Sequence, residues 1–265
     1  MRGRLACVRC STVYCEAGPL VRAPEVAVIE VRKSAERGTG TQEWLHARFT
    51  FSFGPYQDPE QIGFSDLRLL NDDLVQGGGG FATHEHRDTE VFSYVVSGAL
   101  AHKDSMGHGS VVPAGSVLTM TTGTGITHSE FNHSASEPVR FFQIWMVPSR
   151  LGAEPRYAQE AFPDEVKRGR LCRIIAPDAK GALPLLIDGA VYAGLFDGDE
   201  RASLTLAEGR YAYVHVVRGS VAVNGVRLED GDGARVRHVT TLTFAEGRDA
   251  EVLVFDLRPR ELPAV

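Results

Sequence analysis

From Glu90 to His128 the sequence alternates short runs rich in β-branched and aromatic residues with turns marked by glycine and proline. Glu90 to Val96 reads as a strand, Ser97-Gly98 as a turn, and Ala99 to His102 as the return arm of a hairpin. Asp104 to Ser110 is a polar loop, Pro113-Ala114-Gly115 a further turn, Val117 to Met120 another strand, and Thr122 to Gly125 the turn before Ile126-Thr127-His128. Short antiparallel strands at this spacing close into a barrel or jelly roll, which restricts the chain to an all-β class. His84-Glu85-His86 opens the segment and His128-Ser129-Glu130 closes it. On a strand, side chains at i and i+2 share a face, so each tripeptide presents two ligand-type groups in one direction. Inside a barrel the two pairs would share one ion. Three imidazoles and a carboxylate suit iron, nickel, copper, zinc or manganese.

Composition narrows the partners. A chain of 265 residues, 43% hydrophobic, can bury a real core and is long enough for two domains. It has no apolar run of about 18 residues or more, so no membrane span is expected. The net charge of −6 argues against a general nucleic-acid binder, because phosphate neutralisation needs a basic face.

Residues 1–24 stand apart as an N-terminal extension, expected to be disordered. They hold Cys7, Cys10 and Cys15, while Cys172 is alone in the remainder, so neither a Cys₄ zinc site nor a disulfide framework is visible. That cysteine usage fits a reducing cytoplasm. Val26 to Val31 and Phe64 to Leu70 read as strands, and Asn71-Asp72-Asp73 as the break after the second, with the two aspartates capping a turn. The glycines from Gly77 to Gly80 precede His84 with no following Lys-Ser or Lys-Thr, so they fit close backbone approach to the site better than a nucleotide loop.

Residues 149–169 are polar and proline-containing and read as a linker. Beyond them Val191–Phe196, Ala202–Leu206 and Tyr211–Val217 form a second β-rich run. Arg218 to Gly225 reads as a hairpin that echoes Val95 to Leu100, and Leu228 to Ala234 echoes Val112 to Val117. Two weak repeats imply a duplicated barrel. The expected division is a metal-binding barrel at 25–148 and a second at 170–265, which lacks His-x-His and His-x-Glu and so has no metal site.

Several of these motifs in this order resemble the pirin family. They are Thr83-His84-Glu85-His86-Arg87-Asp88-Thr89-Glu90, Tyr94 to Gly98, His102 to Gly107, Val112 to Gly115 and Thr122 to Asn132, preceded by Thr50 to Gly54 and Leu70 to Asp73. The resemblance runs from about Val28 to Leu257 and is strongest up to Arg156. It implies a bicupin, two tandem jelly-roll barrels with the metal in the first. His84, His86, His128 and Glu130 are then the ligands of one divalent transition metal, iron(II) first, with nickel, copper, cobalt, manganese and zinc as the other candidates. Most cupins carry their glutamate five residues after the second histidine, which is Val91 here. Glu90 lies one residue early and would face the opposite side, so Glu130 supplies the carboxylate, as in pirins. Glu85 stands where pirins more commonly have proline and Thr89 where they have methionine; Glu85 would alter charge at the pocket rim.

The resemblance further implies a quercetin 2,3-dioxygenase-like activity, with a flavonol and O₂ as substrates and carbon monoxide released. Coordination would acidify the flavonol 3-hydroxyl, and Glu130 would act as both ligand and general base. Phe51, Phe53, Phe81 and Phe92 are candidates for an aromatic wall. His102 with Asp104 is either an outer partner of the ligands or part of the hairpin. His46, His108, His133, His215 and His238 have no partner at ligand spacing. A different class of function also fits the resemblance, a metal- and redox-sensing regulator acting through a protein partner. A cupin isomerase using the ion as Lewis acid is a third.

Overall fold

A computed structural model describes residues 27–262. The first half contains β1 (Val28–Arg32), β2 (Gly38–Gln42), β3 (Leu45–Phe49), β4 (Leu67–Val75), β5 (Gly80–His86) and β6 (Glu90–Ser97). It continues through β7 (Ala99–Asp104), β8 (Gly109–Pro113), β9 (Ser116–Thr121), β10 (Ile126–Asn132), β11 (Val139–Met146) and β12 (Arg156–Ala161). A single-turn helix α1 (Asp164–Lys167) leads to β13 (Leu171–Ile175), β14 (Gly189–Phe196), β15 (Ala202–Thr205) and β16 (Tyr211–Val223). β17 (Val226–Glu229), β18 (Gly233–Arg237) and β19 (Thr241–Leu257) complete the chain. No helix among the described residues is long and apolar enough to cross a membrane.

The first barrel is a jelly roll made of a seven-stranded sheet in the order β12-β9-β6-β11-β4-β3-β2 and a four-stranded sheet in the order β5-β10-β7-β8. Strand alternation decides what each face meets. Val91 and Val95 of β6 turn into the barrel with Leu118, Met120 and Phe141, while Phe92 and Tyr94 turn out against the second half. Both faces are therefore buried: every residue of β9 and the first six of β6 are shielded from solvent, the serines and threonines among them included. The second half is an eight-stranded sheet in which β16 and β19 are the long central pair. A common core joins the barrels: the Phe51 and Tyr213 rings lie 5.8 Å apart and those of Phe92 and Phe255 6.3 Å. Each buried Phe in this seam contributes about 1.5–3 kcal/mol of hydrophobic stabilisation.

The all-β tandem-barrel architecture is the one expected, with instructive local differences. Ser97-Gly98 is not the tip of a hairpin. β6 pairs with β9 and β11, whereas β7 pairs with β10 and β8, so this turn carries the chain from one sheet to the other. Gly98 sits at φ +72°, and a Cβ there would lie 2.8 Å from the Pro138 carbonyl oxygen, so the corner requires glycine. The echoing segment does contain a hairpin, but at Asn224-Gly225, where β16 meets β17. Asn71-Asp72-Asp73 do not break a strand or cap a turn: they are the middle of β4, paired on both sides with β3 and β11. Polar residues persist there because Asn71 and Asp73 face the inside of the barrel, Asn71 beside Gln143 and Asp73 near the Glu130 carboxylate, while Asp72 meets Arg140 outside it.

Two strands cross the expected boundaries. β1 hydrogen-bonds to β18 of the second sheet, and β12, within residues 149–169, extends the first sheet by pairing with β9. The N-terminal extension with Cys7, Cys10 and Cys15 lies outside the described residues.

Candidate metal centre

β5 and β10 are adjacent antiparallel strands in register His128↔His84 and Ile126↔His86, so His84, His86 and His128 project from one face. Their ring centroids are 4.4 to 5.0 Å apart, and one nitrogen from each lies within 4.8 Å of the others. A bulge shifts the register between His128 and Glu130, leaving Ala82 and Thr83 off the ladder. The Ala82 carbonyl oxygen accepts a hydrogen bond from His84 Nδ1 at 2.8 Å. A carbonyl can only accept, so Nδ1 carries a proton and Nε2 is the His84 nitrogen that can face an ion. This is the backbone form of the orienting contact that metal-bound imidazoles use.

The other two rings are buried, and their nitrogens fit an ion. His86 Nε2 and both nitrogens of His128 have no hydrogen-bond partner. Burial, reinforced by the His84 ring nearby, pushes the His86 imidazole down to about 4. Burial and the neighbouring His84, His86 and His102 take His128 to about 2. Both rings are therefore neutral at physiological pH, the form that coordinates a metal. The glycine preceding the site has a packing role: a Cβ on Gly80 would fall 2.5 Å from Phe131 Cα and 2.6 Å from the Glu130 carbonyl oxygen, so β5 approaches β10 this closely only with glycine.

Glu130 shares its face of β10 with His128 and is 1% exposed, but it is not one of the three clustered groups. Its carboxylate lies against a polar row on the facing sheet. Ser93 Oγ donates to Oε1 at 3.0 Å and Gln143 Nε2 to Oε2 at 2.6 Å. Ser93, Gln143 and Asn71 are cross-strand neighbours on β6, β11 and β4, which explains a polar stripe inside an otherwise apolar barrel. Burial raises the Glu130 carboxyl, and the Ser93 and Gln143 bonds and the His84 ring pull it back. Asp73, on the same inner face, is raised to about 8 by burial and by the nearby Asp72 and Glu130 carboxylates.

Beside the histidines opens a cavity of about 700 Å³ lined by Trp44, Phe53, Phe81, Trp145, His84 and His86, with Glu85, Arg87 and Thr89 at its edge. Trp145 stands edge-on to the His86 ring at 4.8 Å and to Phe53 at 5.5 Å, and Trp44 to Phe81 at 5.2 Å. Of the four phenylalanines expected in the wall, Phe53 and Phe81 are there. Phe51 and Phe92 belong to the seam between the barrels, since they occupy the outward face of their segments. The tryptophans were not singled out from sequence. Trp145 was readable in principle, as it alternates in step with Gln143 and Phe141 on β11. Glu85 faces Arg87 across the rim at 3.8 Å. Glu90 turns away from the site as alternation requires, accepting from Thr121 Oγ1 and the Leu186 backbone N–H.

The pirin sequence profile matches residues 30–146, and a profile described as the quercetinase C-terminal cupin domain matches residues 173–257. Quercetin 2,3-dioxygenase of Escherichia coli K12 is 41% identical over 233 residues, spanning 88% of this chain and all of that protein. The chain belongs to the pirin family. A pirin-like protein of Caulobacter vibrioides is 34% identical over 83% of the chain and 95% of its own length. The crystal structure of the bacterial pirin YhhW from E. coli in complex with nickel(II) superposes with a TM-score of 0.84 at 39% identity, covering 88% of this chain and 100% of that one. Among pirins, then, this chain has the family fold over nearly all of its described length.

Proposed function

We propose that the protein is a cytoplasmic metal-dependent dioxygenase that opens a flavonol-like ring with O₂ and releases carbon monoxide. In this reading His84, His86, His128 and Glu130 hold one divalent transition metal in the barrel at 25–148, iron(II) first, and the barrel at 170–265 holds none. The observation that carries it is the convergence of three imidazoles, one nitrogen of each within 4.8 Å of the others, at the edge of an aromatic-walled cavity large enough for a flavonol. A wall of two indoles and two phenyl rings suits a planar aromatic molecule better than a protein surface. The similarity to proteins named quercetin 2,3-dioxygenase supports the same substrate class.

The ion, when bound, supplies a positive charge that acidifies a coordinated hydroxyl. The Trp145–Phe53 and Trp44–Phe81 pairs in the wall orient the planar rings and exclude water. Glu130 takes the 3-hydroxyl proton on a carboxylate oxygen, for which its raised basicity suits it. Ser93 and Gln143 offer that carboxyl a second resting position off the ligand cluster, so it can accept the proton without leaving the barrel interior. Both atoms of O₂ enter the opened product, and one ring carbon leaves with its oxygen as carbon monoxide.

The decisive experiment loads metal-free protein with iron(II), nickel(II) or cobalt(II) and adds quercetin with and without oxygen. Oxygen uptake matched by carbon monoxide release, absent under anaerobic conditions, is the expected result. Intact quercetin with every metal tested, alongside partner capture that depends on the metal's redox state, would replace this reading with the regulatory one.

A further inference from the structure

We propose that His102 is a positioning residue for His128: through one bridging water its imidazole hydrogen-bonds the His128 nitrogen turned away from the ion, fixing the tautomer and orientation of that ligand. The inference rests on the metal reading above.

The register places it there. β7 runs beside β10 with His102 opposite Glu130 and Asp104 opposite His128, so His102 shares the inward face of the metal-site residues. It is 2% exposed, and neither ring nitrogen has a hydrogen-bond partner. His128 is in the same state, with both nitrogens unpartnered. An ion satisfies one of them and leaves the other, and the His102 ring lies beside the His128 ring at a centroid separation of 5.4 Å.

The plane of His102 is fixed by a stack. Tyr157 stacks on it at 5.0 Å and 18°, and His108 stacks on Tyr157 in turn at 4.8 Å and 17°. His108 is in turn held by Asp104, whose Oδ2 meets its Nδ1 at 3.0 Å while Oδ1 accepts from the backbone N–H groups of Met106 and His108. Stacking fixes a ring's plane and uses none of its edge polarity. A phenyl ring would fill this place without burying two unsatisfied nitrogens, which is unfavourable unless they find a partner. Metal-bound imidazoles need an outer partner to set their tautomer, and His84 already has one in the Ala82 carbonyl. For His128, His102 is the group in position to supply it.

His102→Phe keeps the stack and removes the nitrogens, and His102→Gln restores a donor and an acceptor. Cobalt(II) affinity of metal-stripped protein, measured by competition with a chromogenic chelator, and the cobalt visible spectrum read the effect without any substrate. The expected result is cobalt binding roughly 10- to 100-fold weaker in His102→Phe with an altered spectrum, largely recovered in His102→Gln, while the thermal midpoint of both metal-free variants stays near that of wild type. Wild-type affinity and spectrum in His102→Phe would overturn the proposal, as would equal weakening in both variants accompanied by a lowered metal-free midpoint, which marks a packing role. Failure of the wild type itself to bind cobalt would remove the metal reading and this inference with it. Failure to turn over quercetin would remove only the substrate assignment.

Discussion

The clustering of the three histidines, with Glu130 on the same face of its strand as His128, was legible because strand alternation turns a two-residue spacing into a shared face, and two such pairs bracket a strand-rich segment. Sequence could not foresee that Glu130 rests on Ser93 and Gln143, because those residues belong to the opposite sheet. Glu130→Gln preserves shape and strand pairing while removing the basic oxygen. Its turnover should fall about 10²- to 10⁴-fold, the range of general-base loss, with most metal retained on elemental analysis. Wild-type turnover in that variant would show that the proton goes elsewhere. Trp145 tests the cavity in a different way. Trp145→Leu removes an edge contact to His86 and Phe53, and the flavonol KM is expected to rise about tenfold, equivalent to about 1.4 kcal/mol, with cobalt affinity unchanged. An unchanged KM would place the substrate outside this cavity.

At the level of strands and turns, the pattern located most elements but misplaced one connection. Ser97-Gly98 has the composition of a hairpin turn, and composition does not distinguish a turn that returns within a sheet from one that changes sheets. The close Pro138 carbonyl explains the glycine, so Gly98→Ala should cost about 1–3 kcal/mol in urea unfolding, through both the positive φ and the contact. Glu90 carries a pH signature of the packing between barrels. Burial raises its carboxyl from 4.5 to about 7, so between those values the folded chain keeps a proton that the unfolded chain has released. Its contribution to stability is present at low pH and is lost as pH rises through about 7. Glu90→Gln is neutral throughout and keeps an oxygen for Thr121 and Leu186. It should be about 1–3 kcal/mol more stable than wild type at pH 8, with the difference shrinking as pH falls to 5. A difference that does not vary with pH would mean that Glu90 is ionised in the folded protein at all of these values.

On the scale of the whole molecule, duplication was visible in the repeats, whereas the exchange of β1 was not. Val28 to Val31 has the composition of any strand, and its partner in β18 lies at the far end of the sequence, beyond the reach of local pattern. The return strap is equally remote: Arg258 and Arg260, just past β19, bond the Asp66 carboxylate of the first half, and Ser65 Oγ donates to the Arg258 carbonyl. With a shared aromatic seam and a tie in each direction, the barrels should unfold as one unit. Calorimetry of the metal-free protein is expected to give a single transition with matching calorimetric and van't Hoff enthalpies. Two resolved transitions would mean that the seam is weaker than its burial suggests. The exchanged first strand has a further consequence during synthesis. Val28–Arg32 leaves the ribosome long before Gly233–Arg237 exists, so the barrel that carries the histidines can close, and can meet its ion, while its leading strand still waits for the last part of the chain to be made.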